Sequence, residues 1–143
     1  MQYFPTLLLT KMMNFIPEDK VSELARWAAK NYAHQFIWGI FKEVSHETII
    51  ESYELMAAKY PKLFTFEHEK QGLTHTMRIR HSRGPNWSRF YSETIRDSFW
   101  ELVRIQVSMQ WTQNEVVGTF TEPIETPSRV KPRPIAALVK PIS

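Results

Sequence analysis

The stretch KLFTFEHEKQGLTHTMRIRH, residues 62–81, decides the fold because apolar and polar side chains alternate on both sides of a glycine. Two such runs around a short polar turn predict a β-hairpin with one buried face. We place the turn at Gln71 and Gly72, which sets His68 opposite His75. The apolar face then carries the two histidines with Phe64, Phe66, Met77 and Ile79, and the polar face carries Thr65, Glu67, Glu69, Thr74, Thr76, Arg78 and Arg80.

A helix and a second hairpin follow. Gly84 and Pro85 end the second strand and open a helix over residues 86–103, in which apolar side chains recur at helical spacing. Residues 105–121 alternate again, around a turn at residues 113–114. Residues 62–121 are therefore predicted to form a ββαββ unit with a four-stranded antiparallel sheet.

The N-terminal part of the chain is predicted to be helical. Residues 1–16 are apolar without a clear period and are expected to form a packed arm. Residues 17–60 have helical composition, with a break near Asn31, an N-cap at Ser45 and a stop at Pro61. These helices are expected to cover the apolar face of the sheet.

The sequence thus predicts an α+β fold in which helices lie on one face of an antiparallel sheet. The 143 residues are enough for one domain with a hydrophobic core, which we place at residues 1–122. Residues 123–143 contain five prolines and several basic residues, so an extended basic tail is predicted there.

Composition excludes several classes of site. The chain has no cysteine, which rules out disulfides, thiol nucleophiles and cysteine-ligated metals. Its formal net charge of +3 permits nucleic-acid contact without indicating it, and we expect no sequence-specific binding by this chain alone. The aliphatic run at residues 7–9 is far too short to span a membrane, so we expect no membrane partner and a cytoplasmic location. No cofactor is predicted.

The stretch RIRHSRGPNWSRFY, residues 78–91, is a candidate anion site because it combines four arginines with a helix start. Backbone N–H groups at that start and the flanking guanidinium groups can bind a small anionic ligand. The candidate residues are Arg83, Gly84, Trp87, Ser88 and Arg89.

The alternative for this stretch is structural, and we favour it. Arg78 and Arg80 would form cross-strand pairs beside Glu67, while Gly84 makes a turn and Trp87 packs in the core. The stretch also lacks the further glycines of a phosphate-binding loop.

His68 and His75 are the metal candidates. Side chains on neighbouring strands lie close enough to share an ion. Two histidines supply only two of the ligands that a metal site needs, however. The sequence offers no third ligand beside them, since His81 lies too far along the strand. We therefore favour a structural, hydrogen-bonded pair, with metal binding as the alternative.

Trp100 departs from the pattern of the 86–103 helix, because it is a large apolar residue among charged side chains on the outer face. Arg96 and Arg104 flank it and can stack on its ring. Exposed aromatic and arginine side chains are typical of interfaces, so these three residues predict self-association or a protein partner.

Catalysis is not predicted, and no catalytic residues are assigned. The sequence contains no nucleophile elbow, phosphate loop or H-E-x-x-H motif. The aromatic side chains of the predicted sheet point inward, whereas sheet-type readers of single-stranded nucleic acid display them outward.

Residues 21–120, about two-thirds of the chain, resemble a small uncharacterised archaeal domain family. The resemblance is carried by YAHQFIWGIFKEV, TIIESYELMAAKYPKLFTFEHE, LTHTMRIRHSRGPNWSRFYSETI and NEVVGTF. Family members carry a comparable HT…RH…G…WS core, and some are fused to ribbon-helix-helix-type DNA-binding segments. The resemblance implies an α+β fold and a link to archaeal transcription regulation.

A second likeness is topological, to vinyl-reductase-type and haem-nitric-oxide sensor domains. His34 would be the available haem ligand in such a domain. The chain has RHSRG where those sensors carry a Y-x-S-x-R motif, so haem is not predicted.

The expected function is a non-enzymatic ligand-sensing or protein-interaction module. The alternative is a metal- or anion-binding protein, or an enzyme built on the same groups, that uses His68 and His75 or Arg83 and Arg89.

Overall fold

The structure is a computed structural model that describes residues 3–123. Its helices are α1 (Tyr3–Asn14), α2 (Glu18–Asn31), α3 (Ala33–Phe41), α4 (His46–Lys59) and α5 (Pro85–Val103). Its strands are β1 (Thr65–Gln71), β2 (Thr74–Arg80), β3 (Ser108–Trp111) and β4 (Glu115–Thr121). The predicted α+β class is confirmed. The predicted basic tail lies outside the described residues from residue 124 onward.

The strands form one antiparallel sheet in the order β1-β2-β4-β3. Each hairpin supplies one edge strand and one central strand. Pairing of the central strands joins the two hairpins, with Thr74 opposite Thr121 and Arg80 opposite Glu115.

The turn of the first hairpin differs from the prediction. Gln71 pairs with Thr74, so Gly72 and Leu73 form the turn. Gly72 has a φ of 63°, a left-handed conformation that glycine adopts without steric cost. The prediction that Gln71 belongs to the turn is therefore wrong.

This difference changes which side chains are direct neighbours across the hairpin. His68 lies opposite Met77, and His75 lies opposite Lys70, so the predicted direct pairing of the two histidines is wrong. Each residue's partner moves by two positions, and an even shift leaves every side chain on its predicted face. The two histidines consequently still share the apolar face, as diagonal neighbours.

The second hairpin keeps its predicted faces in a shorter form. β3 begins only at Ser108, whereas Val116 and Phe120 of β4 are buried as expected. Gly118 lies between these two and against Met109. A Cβ atom at Gly118 would stand 2.7 Å from Met109 Sδ, so the methionine occupies the space of the missing side chain.

The helices cover one face of the sheet only. α4 contacts β1, α5 contacts β3 and β4, and α2 packs against α5. The α5 stripe that faces the sheet includes the buried side chains Tyr91, Ile95 and Phe99. The other face of the sheet carries the polar side chains of the alternating pattern.

Local sequence signals fix the start of α4. Ser45 is the N-cap, as predicted, and its Oγ accepts a hydrogen bond from the backbone N–H of Thr48. Thr48 Oγ1 accepts one from the Ser45 N–H in return, which completes a capping box. This cap positions His46 at the first residue of the helix.

The N-terminal arm contains a helix that the sequence did not predict. α1 buries Met13, whereas Leu7, Leu8 and Leu9 are about half exposed or more. Only part of the predicted packed arm therefore packs. Within residues 3–123, no helix is both long enough and apolar enough to cross a membrane.

Candidate functional site

An uncharged cavity of about 210 Å³ lies between the helices and the start of β1. α2, α3, α4 and α5 all contribute to its wall, and Leu63 and Phe64 contribute where the chain enters the sheet. The lining side chains are apolar, aromatic or hydroxyl-bearing, and none carries a charge. Tyr32, which is 53% exposed, lies at the edge of the cavity.

Helix α5 supplies one wall of this cavity. Trp87, Tyr91, Thr94 and Ser98 recur at three- and four-residue spacing, which places them on one face of the helix. Three of these side chains carry a buried polar atom without a hydrogen-bond partner in the structure. These atoms are Trp87 Nε1, Thr94 Oγ1 and Ser98 Oγ.

Two phenol groups in the cavity wall are held in their neutral form. Burial raises the pKa of Tyr53 well above its ordinary value, and the neighbouring Tyr91 raises it further. Burial likewise raises the pKa of Tyr91, against the opposing effect of Arg83. The cavity wall is therefore uncharged at neutral pH.

Helical spacing predicted an apolar stripe on residues 86–103, but sequence reasoning did not find the cavity. The cavity exists because α2, α3 and α4 do not fill the space above that stripe. A hydroxyl group at Ser98 on an otherwise apolar stripe was the signal in the sequence.

A second polar group, the histidine–glutamate cluster, consists of His46, His68, His75 and Glu122. It lies where the turn between β1 and β2, the end of β4 and the start of α4 meet. His68 Nε2 lies 2.8 Å from His75 Nδ1, and His75 Nε2 lies 2.6 Å from Glu122 Oε2. His46 Nε2 is 3.3 Å from the same carboxylate oxygen.

His75 is the centre of this cluster and is only 2% exposed. Its ring stacks on Phe120, with 4.5 Å between the ring centroids, and lies parallel to His68 on the other side. The backbone N–H of Glu122 donates to Leu73 O at 2.9 Å, which holds the glutamate beside the turn.

The cluster affects the protonation of its members. Burial lowers the pKa of His68, and the adjacent His75 lowers it further. The hydrogen bond from His75 lowers the pKa of Glu122, so its carboxylate is ionised at neutral pH. Lys70 Nζ, 3.2 Å from Glu122 Oε2, acts in the same direction.

The sequence suggested no third ligand beside the histidine pair, whereas the structure places His46 and Glu122 next to His75. His46, His75 and Glu122 each offer a ligand atom, and these atoms lie within 4.8 Å of one another. His68 is outside this group of three and contacts it through His75. Sequence reasoning missed His46 and Glu122 because both are far from the hairpin along the chain.

The guanidinium group of Arg83, an anion-site candidate, contacts several protein oxygens. It donates to the backbone oxygens of Lys62 and Leu63 at 2.7 and 3.3 Å, and to Thr10 Oγ1. These bonds fasten the start of the sheet to α1. Gly84, with a φ of 97°, makes the turn that precedes α5.

Arg89, the second arginine of the candidate anion site, also forms contacts within the protein. It pairs with Glu18 and Glu93 at 3.4 and 3.3 Å, and it lies 5.4 Å from the ring centroid of Trp111. The two arginines thus contact different partners, and the structure does not aim both at one point. The anion site stays a prediction, with no geometry in its favour.

Ser88 belongs to a hydrogen-bond chain at the start of α5. The backbone N–H of Arg83 donates to His81 Nδ1, so His81 carries its proton on Nε2 and donates to Ser88 Oγ at 2.8 Å. Ser88 Oγ then donates to Gln113 O at 3.0 Å. Burial, together with the charge of Arg83, lowers the pKa of His81 to about 4.

The remaining arginines of the 78–91 stretch form cross-strand pairs. Arg78 and Arg80 both lie near Glu67 and Glu115, with the shortest distance 3.0 Å from Arg78 Nη1 to Glu115 Oε2. The structural alternative for these two residues is confirmed.

The interface candidates lie on the outer face of α5. Trp100 is 47% exposed, and the Arg104 guanidinium is 5.0 Å from its ring centroid. Arg96 pairs with Asp97 instead. The expected stacking on Trp100 is present for Arg104, whereas the interface itself stays a prediction.

Comparison of the chain with protein-family models and with curated proteins gives no match.

Proposed function

We propose that this protein is a binding module for a small, uncharged and mostly apolar molecule, held in the cavity between α2, α3, α4 and α5. The observation that carries the proposal is the row of unpartnered polar atoms on the α5 wall, Trp87 Nε1, Thr94 Oγ1 and Ser98 Oγ. The proposal makes specific the ligand-sensing role expected from the sequence.

The energetic argument starts from the cost of these atoms. Each buried donor or acceptor without a partner destabilises a fold by about 1–3 kcal/mol. Trp87 and Ser98 are separated by about 16 Å of helix, so one water molecule cannot serve all three atoms. A ligand with an oxygen acceptor would recover part of the cost once a side-chain movement brings one of these groups, such as the Trp87 N–H, to the cavity surface.

The cavity also limits the size and charge of the ligand. Its volume of about 210 Å³ exceeds that of an engineered apolar cavity that holds benzene, about 150 Å³. A substituted ring of that scale would fit. A charged ligand is disfavoured because the wall offers no counter-charge and burial would remove its hydration.

We propose binding without catalysis, since the ionisable groups in the wall are phenols held neutral. The sequence-based expectations of a cytoplasmic location and of a link to archaeal transcription regulation remain part of this proposal. Such a link is consistent with a domain that reports the presence of a small molecule.

Three probes of nearly the same shape test the proposal. Acetophenone carries an oxygen acceptor, cumene carries none, and benzoate carries a negative charge. We expect acetophenone to bind about fivefold more tightly than cumene, because one hydrogen bond contributes about 1 kcal/mol. Benzoate should bind most weakly of the three because its charge would be buried. Isothermal titration and the Trp87 indole N–H signal in NMR spectra measure this order.

Matched variants separate the cavity from other surfaces. Ala28→Leu fills the cavity and should abolish acetophenone binding, whereas Ala58→Leu makes the same change on an exposed part of α4 and should not. Trp87→Phe should narrow the preference for acetophenone over cumene. Absence of saturable binding by all three probes, or equal binding by Ala28→Leu, would overturn the proposal.

A further inference from the structure

The histidine–glutamate cluster brings three potential metal ligands together from distant parts of the chain. His46 comes from the first turn of α4, His75 from the central strand β2, and Glu122 from the residue after β4. Their ligand atoms lie within 4.8 Å of one another. This cluster lies outside the proposed ligand cavity.

We propose that His46, His75 and Glu122 form a binding site for a divalent first-row transition metal, zinc(II) in the first instance. Imidazole nitrogen and carboxylate oxygen are ligands that zinc accepts at about 2.0–2.2 Å. At those bond lengths ligand atoms lie about 3.3 Å apart. The 3.3 Å between His46 Nε2 and Glu122 Oε2 matches that value. The 2.6 Å between His75 Nε2 and Glu122 Oε2 is a hydrogen-bond distance, which would have to lengthen for both atoms to bind one ion.

His46 Nε2 is a buried nitrogen that the protein leaves without a hydrogen bond. It lies 3.3 Å from Glu122 Oε2, but the geometry of a hydrogen bond is not met. The capping box of α4 fixes the backbone on which this ring stands. A metal ion held jointly with Glu122 would give the nitrogen the partner it lacks.

His68 fits the role of a positioning residue. A metal-ligating histidine usually donates its second ring N–H to a hydrogen-bond acceptor, which fixes the ring and its tautomer. With a metal on Nε2, His75 would carry its proton on Nδ1 and donate to His68 Nε2, 2.8 Å away. Stacking on Phe120 holds the His75 ring in the same plane.

Lys70 is the local competitor of a bound cation. Its ammonium group lies 3.2 Å from Glu122 Oε2, the atom that would ligate the metal. The side chain is 48% exposed and therefore has room to move into solvent. Three protein ligands would leave further coordination positions for water or another small ligand, as in open zinc sites.

The test uses the full chain, treated with a chelator and then titrated with zinc(II) against a chromophoric competitor. We expect one equivalent to bind and to raise the melting temperature of the protein. Cobalt(II) in place of zinc(II) should give visible absorption bands whose intensity reports the coordination geometry.

Single substitutions assign the site without disturbing the buried His75. His46→Ala and Glu122→Gln should weaken zinc binding by about 100-fold or more, and His68→Ala by about 10–100-fold. Lys70→Ala should strengthen it. His34→Ala removes a histidine outside the group of three and should leave binding unchanged.

The melting temperature of each variant is compared with its own metal-free form, so a loss of stability is not mistaken for a loss of binding. Equal zinc affinity in wild type, His46→Ala and Glu122→Gln would overturn the proposal. Absence of both a zinc-induced shift and a cobalt spectrum in the wild type would do the same. Neither result would bear on binding of acetophenone in the cavity.

Discussion

Ser88 and Ser98 lie on the same helix, are 0% and 2% exposed, and differ in the partners of their hydroxyl groups. Ser88 accepts from His81 and donates to Gln113 O, which completes a hydrogen-bond chain between the two hairpins. Ser98 Oγ has no partner, and the residue belongs to the cavity wall. Burial of a polar group therefore does not by itself mark a site.

The two serines represent two kinds of buried polar group, one with hydrogen-bond partners and one without. A complete hydrogen-bond chain stabilises one arrangement of the elements that it joins, and every member is needed. An unpartnered group destabilises the fold and requires an explanation, which we propose is a molecule bound in the cavity. The first kind identifies architecture in this protein, and the second kind identifies the candidate binding wall.

The sharpest test of this comparison is Ser88→Ala. The change leaves the His81 Nε2–H and the Gln113 carbonyl without their partner at a part-buried site. We expect a loss of about 3 kcal/mol in the free energy of unfolding, measured by urea denaturation. A loss near zero would show that water replaces the serine hydroxyl. The hydrogen-bond chain would then not be needed to stabilise the fold.

A pH titration of stability tests the same chain at His81. The pKa of His81 is lowered to about 4, whereas an unfolded histidine titrates near 6.5. The unfolded state therefore binds the extra proton first as pH falls. Stability from this residue is complete above about pH 6.5 and is lost between there and about pH 4.

The expected loss over that range is about 2 kcal/mol, because water screens a side chain that is only half-buried. His81→Gln keeps a donor for Ser88 but does not titrate. Urea denaturation across the range should give a steeper pH dependence for wild type than for His81→Gln. Parallel curves would contradict the assigned neutral state.

The smallest effect is expected for Ser98→Ala, the matched control for Ser88→Ala. Removing an unpartnered buried hydroxyl exposes no new polar group, so stability should stay unchanged or rise by up to about 1 kcal/mol. Thermal denaturation without added ligand measures this change in stability. A loss as large as that of Ser88→Ala would mean that Ser98 has a partner, and the contrast between the serines would disappear.

The fold was predictable because it follows from local patterns. Alternation gave the faces of both hairpins, helical spacing gave α5, and Ser45 marked the start of α4. The exact register of the first hairpin was not predictable, because a shift of two residues leaves every side chain on the same face of the sheet. The pairing of Gln71 with Thr74 is what places Gly72 and Leu73 in the turn.

The candidate sites were predictable only in part. The sequence placed His68 and His75 on one face of one hairpin, where local geometry brings them together. His46 and Glu122 reach them through the packing of α4 and the pairing of β4 with β2. The cavity likewise depends on how four helices pack, which periodicity in a single sequence does not specify.

The strand order β1-β2-β4-β3 also determines where the cost of ordering the chain falls. Each hairpin closes through a turn of a few residues, so its loop entropy is small. The central pairing of Arg80 with Glu115 instead closes a loop that contains all of α5. The formation of this helix shortens that loop, so we expect the kinetic barrier to assembling the sheet to lie at the pairing of β2 with β4, which joins the two hairpins.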